Sequence, residues 1–573
     1  MVYGRRVEHF ILSPGPLERS YQETQTTLRR LQFTSLLWSR RVDMWTEDAA
    51  TQRKIANRLG WLDALDVVAP HIDRVRACAD AARSDGFTDV VLLGMGGSSL
   101  APEVMRQVIG VQPGFPRFRM LDSVDPDAVS DVLANVERTL FVFASKSGGT
   151  LEPNAMAAEA ARRLEVAGVR PWGSRFIAIT DEGTALHRRA VSEQFRDIFV
   201  NPSDIGGRYS ALSFFGLVPA ALMGIDLDGF MRRARAMLEE CQTHTESNPG
   251  TSLGAFVGAA ALNGRDKLTL LLPDRLAPLG LWIEQLVAES TGKENAAGKH
   301  VGVVPVAGET AGARFGDDRA VVIAHLGSES PDPRLVDAVR RQSIPCIEIQ
   351  VPDALSLGAE FFRWEMATAT AGRLLSLNPF DEPNVQQAKD ATKLLLDEYA
   401  AKGALPDLAA DLVADGATFT LSAAAREHAS DPRRFLGLAK AGDYVNTMAF
   451  LPPEDAPLQA ALEGLRHALS LRSQCPTMMG YGPRYLHSTG QLHKGGANNG
   501  VFIIITAPPL VDFSVPDAGY SFATLEHAQA IGDFQSLGAT NRRAVLVQLN
   551  SRTPAAITAL SRLLTAASPL TNP

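Results

Sequence analysis

The stretch FVFASKSGGTLE, residues 141–152, decides how this chain is read. Phe141, Val142 and Phe143 form an apolar run of the kind that fills a buried parallel strand. A turn of Ser, Lys, Gly and Thr follows, and residues 151–164 read as a helix. Ser145, Ser147 and Thr150 supply hydroxyls, while Gly148 and Gly149 let the backbone come close to a ligand. The N–H groups at the helix start point at whatever sits over the turn, an arrangement suited to phosphate. The plain alternative is an ordinary Gly-Ser turn between strand and helix.

About fifty residues upstream, DVVLLGMGGSSLAP (89–102) repeats the pattern: an apolar strand, then a turn of Gly94, Gly96, Gly97, Ser98 and Ser99, then a helix from about Pro102. The glycine spacing and the lack of a suitable acidic residue exclude a dinucleotide fingerprint, and no Gly-Lys-Ser/Thr ends it as in a P-loop. Two such units in one doubly wound sheet place both turns on the same carboxyl edge, able to grip a sugar phosphate from two sides.

Composition sets the frame. A chain of 573 residues is too long for one core, so three or four domains are expected. With 45% hydrophobic and 21% charged residues it reads as an ordinary globular protein. No apolar run reaches the roughly 18 residues of a spanning helix, and the N-terminus lacks the apolar stretch of a signal peptide. A net charge of −8 without a basic tract argues against nucleic acid as the main partner. Cys78, Cys241, Cys346 and Cys475 show no CxxC spacing, so neither zinc nor a redox pair is expected, and scattered thiols fit a reducing cytoplasm.

Along the chain, residues 17–60 read as helix. Residues 61–245 alternate strand (near 89–94, 118–122, 139–144 and 175–180) with helix, and 208–240 read as helix. Alternation resumes with strands at Leu268–Leu272, Val321–His325 and Ile344–Val351 and helices at Leu279–Glu289 and Leu357–Leu377. Residues 400–440 look like a connector with short helices. A last block follows, with strands Tyr444–Leu451, Val501–Thr506 and Ala544–Leu549 and helices over 457–472, 523–537 and 554–567. The final Ser-Pro-Leu-Thr-Asn-Pro is expected to fray. The domain expectation is therefore a helical segment over 1–60, α/β domains over 61–245 and 246–399, and an α/β region over 400–573.

Four further segments could carry chemistry. Gly206-Gly207-Arg208 precedes a helix, which suits either a surface ion pair or a guanidinium held to stabilise an oxyanion. Glu289 ends a helix with a buried face, before Thr291-Gly292-Lys293. A carboxylate there opposes the dipole, and burial raises its pKa, as a base working near neutral pH requires. The alternative is a solvated Glu near a turn. Lys389 lies in a helix opened by Pro383, where a lysine is normally solvated. RYLHSTGQLHKGGANNG (484–500) sets His487 and His493 in a Gly-rich loop before a strand, too isolated for a metal site but apt for function.

Together these segments resemble glucose-6-phosphate isomerase. GMGGSSLAP is similar to the family's GIGGS-x-LGP, SKSGGTLE to SKTxTTxE, GGRYSALSFFGL to GGRxSxxSxxGL, AESTGK to ESxGK, and FDEPNVQQAK to FDQxGVExxK. All five stand in the family's order across about 89–389. HSTGQLHKGG resembles the isomerase half of transaldolase–isomerase fusion proteins, and with few residues before the first motif only that half is expected. The resemblance implies two sugar-isomerase (SIS) domains, each a doubly wound parallel sheet, and interconversion of glucose 6-phosphate and fructose 6-phosphate without metal or other cofactor. It implies a cytoplasmic protein of glycolysis and gluconeogenesis, commonly a homodimer.

Carried over, Ser98, Ser145, Lys146, Ser147 and Thr150 hold the phosphate. Arg208 stabilises the enediolate, Glu289 moves the proton between C2 and C1, and Lys389 assists near the ring oxygen. Three departures stand out. Glu382 replaces the family's Gln, Gly148 and Gly149 replace bulkier residues, and the family's GQH histidine has no counterpart in AGETAGARFGDDRAV (307–321). His487 is the expected substitute for opening the ring, ahead of His300. Two alternatives remain at this stage: an isomerase of another sugar phosphate, and a non-catalytic SIS-type regulator. The regulator needs the SKSGGT turn but not Glu289, Arg208 and Lys389 together.

Overall fold

A computed structural model describes residues 5–7, 10–244, 247–429 and 431–566. The C-terminal residues expected to fray lie outside them. Thr139–Ala144 and Asp89–Leu93 are strands in which every residue is buried. They pair in parallel with Leu93 opposite Phe143, so the two Gly/Ser turns leave the sheet at the same level. The whole sheet runs Arg117–Leu121, Asp89–Leu93, Thr139–Ala144, Phe176–Asp181, Asp197–Asn201, all parallel. Strand order reverses between the first and third strands in the chain, which opens a crevice at their carboxyl ends. Both turns stand at that crevice.

A second sheet runs Arg5–Val7, Phe10–Ser13, Cys346–Val351, Arg319–Leu326, Lys267–Leu271, Val304–Ala307. Its four later strands are parallel, and the N-terminal hairpin adds antiparallel to one edge. A third runs Leu412–Ala414, Ala417–Leu421, Arg543–Leu549, Gly500–Thr506, Tyr444–Phe450, Thr477–Tyr481, its last four strands parallel. In all three sheets the first four parallel strands, counted along the chain, have the order 2-1-3-4. The three α/β blocks are thus topological echoes, although no sequence repeat betrays it.

The chain forms two compact units. The first comprises Met1–Asp122, Asn135–Gly308 and Asp317–Glu382, with the first two sheets. Its helix Leu279–Thr291 is buried at nearly every position. The second unit comprises Ser123–Ala134, Glu309–Gly316 and Pro383–Pro573, with the third sheet. Within it the helix Pro126–Val132 is fastened through Asp125 and Asp127, whose carboxylates accept from Arg552 Nη1 at 2.7 and 2.6 Å. The Leu510 and Val511 N–H groups donate to Asp127 as well.

Several elements differ from the sequence reading. The continuous helix over 17–60 is broken into Glu18–Arg30, Phe33–Trp38 and Ala49–Ala56, with Gln32 in the left-handed region at φ 50°. The helix over 208–240 divides into a short 3₁₀ turn Gly207–Tyr209 and helices Phe214–Leu222 and Leu227–Cys241, the last capped by Asp226. The helix Pro249–Leu262 escaped the sequence reading because it is buried almost all round and shows no amphipathic period. Residues 400–440 are more than a connector, since Leu412–Ala414 and Ala417–Leu421 extend the third sheet. The loop 484–500 contains a helical turn, Gly490–Gly495. No helix among the described residues is long and apolar enough to cross a membrane.

Candidate active site

Arg208 is the centre of the site, and the chain reaches it through a tight backbone contact. A Cβ on Gly97 would lie 2.1 Å from the Gly207 carbonyl oxygen and 2.9 Å from Arg208 N, so only glycine lets the GMGGSS turn lie against the GGR turn. Ser210 Oγ fastens the two by donating to the Gly207 carbonyl at 2.6 Å, and it lies 3.3 Å from that of Gly97. Arg208 itself is 3% exposed. Its Nε donates to Ser290 Oγ at 2.8 Å, and its Nη2 to the carbonyls of Pro379 and Asp381 at 2.8 and 2.9 Å. Its Nη1 donates to Glu289 Oε1 at 3.2 Å and to Glu382 Oε2 at 3.0 Å. Burial works against the charged guanidinium, but Glu289 and Glu382 outweigh it and hold Arg208 above its ordinary pKa.

Glu289 occupies the last turn of Leu279–Thr291 and is buried. Gln285, one turn earlier, donates its amide to Oε2 at 3.2 Å. Burial pushes the carboxyl above its usual range; Arg208 and Lys293 pull it down, and Glu382 pushes it up. This is the poise of a general base: an ionised form kept available by a cation yet made basic by desolvation. Lys293 follows on Lys293–Glu294 and donates to the Asn378 carbonyl at 3.0 Å, the Asp381 carbonyl at 2.5 Å and Asp381 Oδ1 at 2.8 Å. Burial lowers its pKa to about 8, against the opposing pull of Asp381. Tyr209 packs on Trp61 and Phe380, and its hydroxyl lies 3.4 Å from Ser290 Oγ.

In the same unit, the SKSGGT turn folds on its own hydroxyls. Ser145 Oγ lies 3.3 Å from Thr150 Oγ1 and accepts from the Gly148 N–H at 3.2 Å, while Ser147 Oγ accepts from the Gly149 N–H at 3.3 Å. Gly148 has φ +67°, and a Cβ there would meet Leu186 N at 2.6 Å, which explains the small residue. Thr150 starts the helix Leu151–Val166, so the positive end of a sixteen-residue helix faces the turn. Lys146 is turned to another purpose: its ammonium donates to Asp181 Oδ2 at 2.6 Å and to the Ser203 carbonyl at 2.8 Å. Ser98 ends the 3₁₀ turn Gly96–Ser98 and is half-buried.

The structure thus joins Arg208 to Glu289 directly, gathers Ser145, Ser147 and Thr150 in one turn, and sets Ser98 in the turn that abuts Arg208. Lys389 and His487 belong to the second unit. Lys389 is exposed on the helix Val385–Lys402, and His487 ends the 3₁₀ turn Arg484–His487, half-buried. His493 is sealed in the interior, its ring nitrogens 2.9 Å from Tyr444 Oη, Asn446 Nδ2 and Thr489 Oγ1. Gln491 clasps the start of the Lys389 helix: its Oε1 accepts from the Asn384 N–H and its Nε2 donates to Asn384 Oδ1, both at 2.8 Å. Sequence reasoning missed Ser290, Gln285, Lys293 and Asp381. Lys293 at least had a signal, since it stands inside AESTGK. Among the described residues no group of three or more His, Cys, Asp or Glu is placed to hold a metal ion.

The profile of the phosphoglucose isomerase family matches residues 63–319. A glucose-6-phosphate isomerase of Prochlorococcus marinus (strain MIT 9515) is 31% identical over 360 residues, which cover 56% of this chain and 68% of that protein. One of Parasynechococcus marenigrum (strain WH8102) is 31% identical over 422 residues, 65% of this chain and 76% of that one. Among solved structures, a hypothetical protein from Thermus thermophilus superposes with a TM-score of 0.58 at 24% identity, covering 67% of this chain and 99% of its own. A glucose-6-phosphate isomerase from Chlamydia trachomatis gives 0.56 at 19% identity, covering 69% and 90%. At these identities the two structures speak for the fold, a pair of doubly wound sheets.

Proposed function

Because the chain belongs to the glucose-6-phosphate isomerase family, we propose that it interconverts glucose 6-phosphate and fructose 6-phosphate through an enediolate. The observation that carries this reading is the buried Arg208–Glu289 pair, a base made basic by desolvation beside a guanidinium able to receive an oxyanion. Glu289 takes the proton from C2 of the open-chain aldose as the C1–C2 double bond forms, and the charge appears on oxygen beside Arg208. The hydroxyl proton on O2 passes to O1, and the same carboxyl returns its proton to C1 as the C2 carbonyl forms, leaving the ketose. Two protons change place within the substrate and no electron leaves it, so the balance closes without an external oxidant.

Ser98, Ser145, Lys146, Ser147 and Thr150 hold the phosphate in this reading. The helix start at Thr150 supports it, and Lys146 contributes only if its ammonium leaves Asp181. His487 opens the ring and Lys389 assists near the ring oxygen. Residues 61–245 and 246–399 serve as the two SIS domains, 1–60 as a helical segment and 400–573 as a C-terminal α/β region carrying the HSTGQLHKGG loop. A cytoplasmic homodimer without cofactor completes the reading. The test is the purified protein with fructose 6-phosphate, coupled to glucose-6-phosphate dehydrogenase and NADP⁺. NADPH formation is the expected result, and its absence at micromolar enzyme refutes the proposal.

A further inference from the structure

The donors of Arg208 are all taken. A guanidinium carries five N–H groups. Here one goes to Ser290 Oγ, two to the Pro379 and Asp381 carbonyls, and two to the carboxylates of Glu289 and Glu382. An enediolate forming beside Glu289 needs one of them released. Ser290 is fully buried, the carbonyls belong to the backbone, and Glu289 stays as the base. Glu382 differs from the rest: 39% of its side chain is exposed against 3% for Arg208, so its carboxylate can trade Arg208 for water at low cost.

We propose that Glu382 is a displaceable occupant of the anion seat on Arg208, filling it in the free protein and swinging into solvent when a sugar phosphate binds. This rests on the isomerase reading and adds a specificity-determining residue to it. The family's Gln at this position can accept the same hydrogen bond, but as a neutral group it grips a cation about half as strongly. The carboxylate makes entry selective. A small acid that brings only a negative charge must evict Glu382 and then sit near it. A sugar phosphate brings a second grip, the phosphate turn, to offset that eviction. At an effective dielectric constant of about 20, two like charges about 6 Å apart weaken binding by a factor of about 100. Exposure of Glu382 to solvent cuts this to about tenfold.

The experiment uses the full chain as wild type, Glu382→Gln and Glu382→Ala, with 5-phosphoarabinonate as probe, because its planar carboxylate copies the O1–C1–C2–O2 face of the enediolate. Isothermal titration calorimetry should show binding about tenfold tighter in both variants. In the coupled assay kcat/KM for fructose 6-phosphate should rise through a lower KM. Unchanged or weaker probe binding in both variants overturns the proposal. So does a tenfold or greater fall in kcat at constant KM, which would make Glu382 a fixed part of the catalytic assembly. Calorimetry needs no turnover, so a wild-type protein that binds the probe without isomerising refutes the function while the displacement is still read from the variants.

Discussion

Replacing Glu289 by Gln separates basicity from shape. The amide can keep its oxygen on Arg208 Nη1, now 3.2 Å from Oε1, while its nitrogen faces Gln285, whose own amide flips to present oxygen. Arg208 keeps Glu382 as a counter-charge. Stability should therefore stay within about 1 kcal/mol of wild type, the net worth of one hydrogen bond. The sign of its pH dependence follows from burial. Glu289 has a folded pKa above its unfolded one, so its contribution to stability is full below the ordinary carboxylate range and is lost as pH rises through the folded value. The variant lacks that loss, and its stability relative to wild type should grow from pH 4 to pH 8. Turnover should fall about 10²–10⁴-fold, the usual contribution of a general base. The coupled assay measures the first consequence. Deuterium uptake at C2 in D₂O measures the proton step alone and should fall with it. In wild type the acid limb of kcat/KM should lie above the ordinary glutamate range. A variant turning over within threefold of wild type, with deuterium uptake intact, removes Glu289 from the mechanism.

Other substitutions bear on the neighbouring elements. Thr150→Ala or Ser147→Ala should weaken binding of a sugar 6-phosphate by about 1–3 kcal/mol and leave a phosphate-free sugar unaffected, as calorimetry would show; equal weakening of both would make the turn purely structural. Gly97→Ala puts a methyl group 2.1 Å from the Gly207 carbonyl and must move the Arg208 turn, so kcat should drop at least about tenfold, a loss that a 1 Å misplacement readily produces. His487→Ala should slow turnover of the cyclic sugar while sparing C2 exchange of an open-chain substrate. His493→Ala should act on folding instead, lowering stability by about 2–3 kcal/mol in denaturant titration, because it leaves Tyr444, Asn446 and Thr489 facing a void.

Much of this was legible because the motifs are local. SKSGGT and GMGGSS each follow a fully buried strand, and a parallel sheet with order reversal brings their ends together without further information. Arg208 and Glu289 were legible as residue types in motifs, but their ion pair joins side chains 81 residues apart, and neither motif names the other. The misread elements have physical causes. A helix buried on all sides, such as Pro249–Leu262, carries no period, and a left-handed residue such as Gln32 breaks a helix without the usual Gly or Pro signal. The partnership of Glu382 with Arg208 was invisible, since a carboxylate standing for an amide reads only as a mismatch. His493 looked like a candidate for chemistry beside His487, yet its three partners come from residues as distant in the chain as Tyr444, and only the tertiary structure supplies them.

The helix Pro126–Val132 has a meaning for how this protein is made. It is encoded between two strands of the first sheet, yet it is built into the unit formed mainly by the C-terminal third of the chain. Its anchor, Arg552, comes 427 residues after Asp125. At a translation rate of about 5–20 residues per second, the ribosome takes roughly 20–90 s to supply that arginine. Throughout that interval the nascent chain carries the helix without the guanidinium that binds Asp125 and Asp127. Completion of that unit is thereby tied to the synthesis of Arg552, and a polypeptide cut short of it, even one containing Arg208 and Glu289, lacks the cation that fastens the helix.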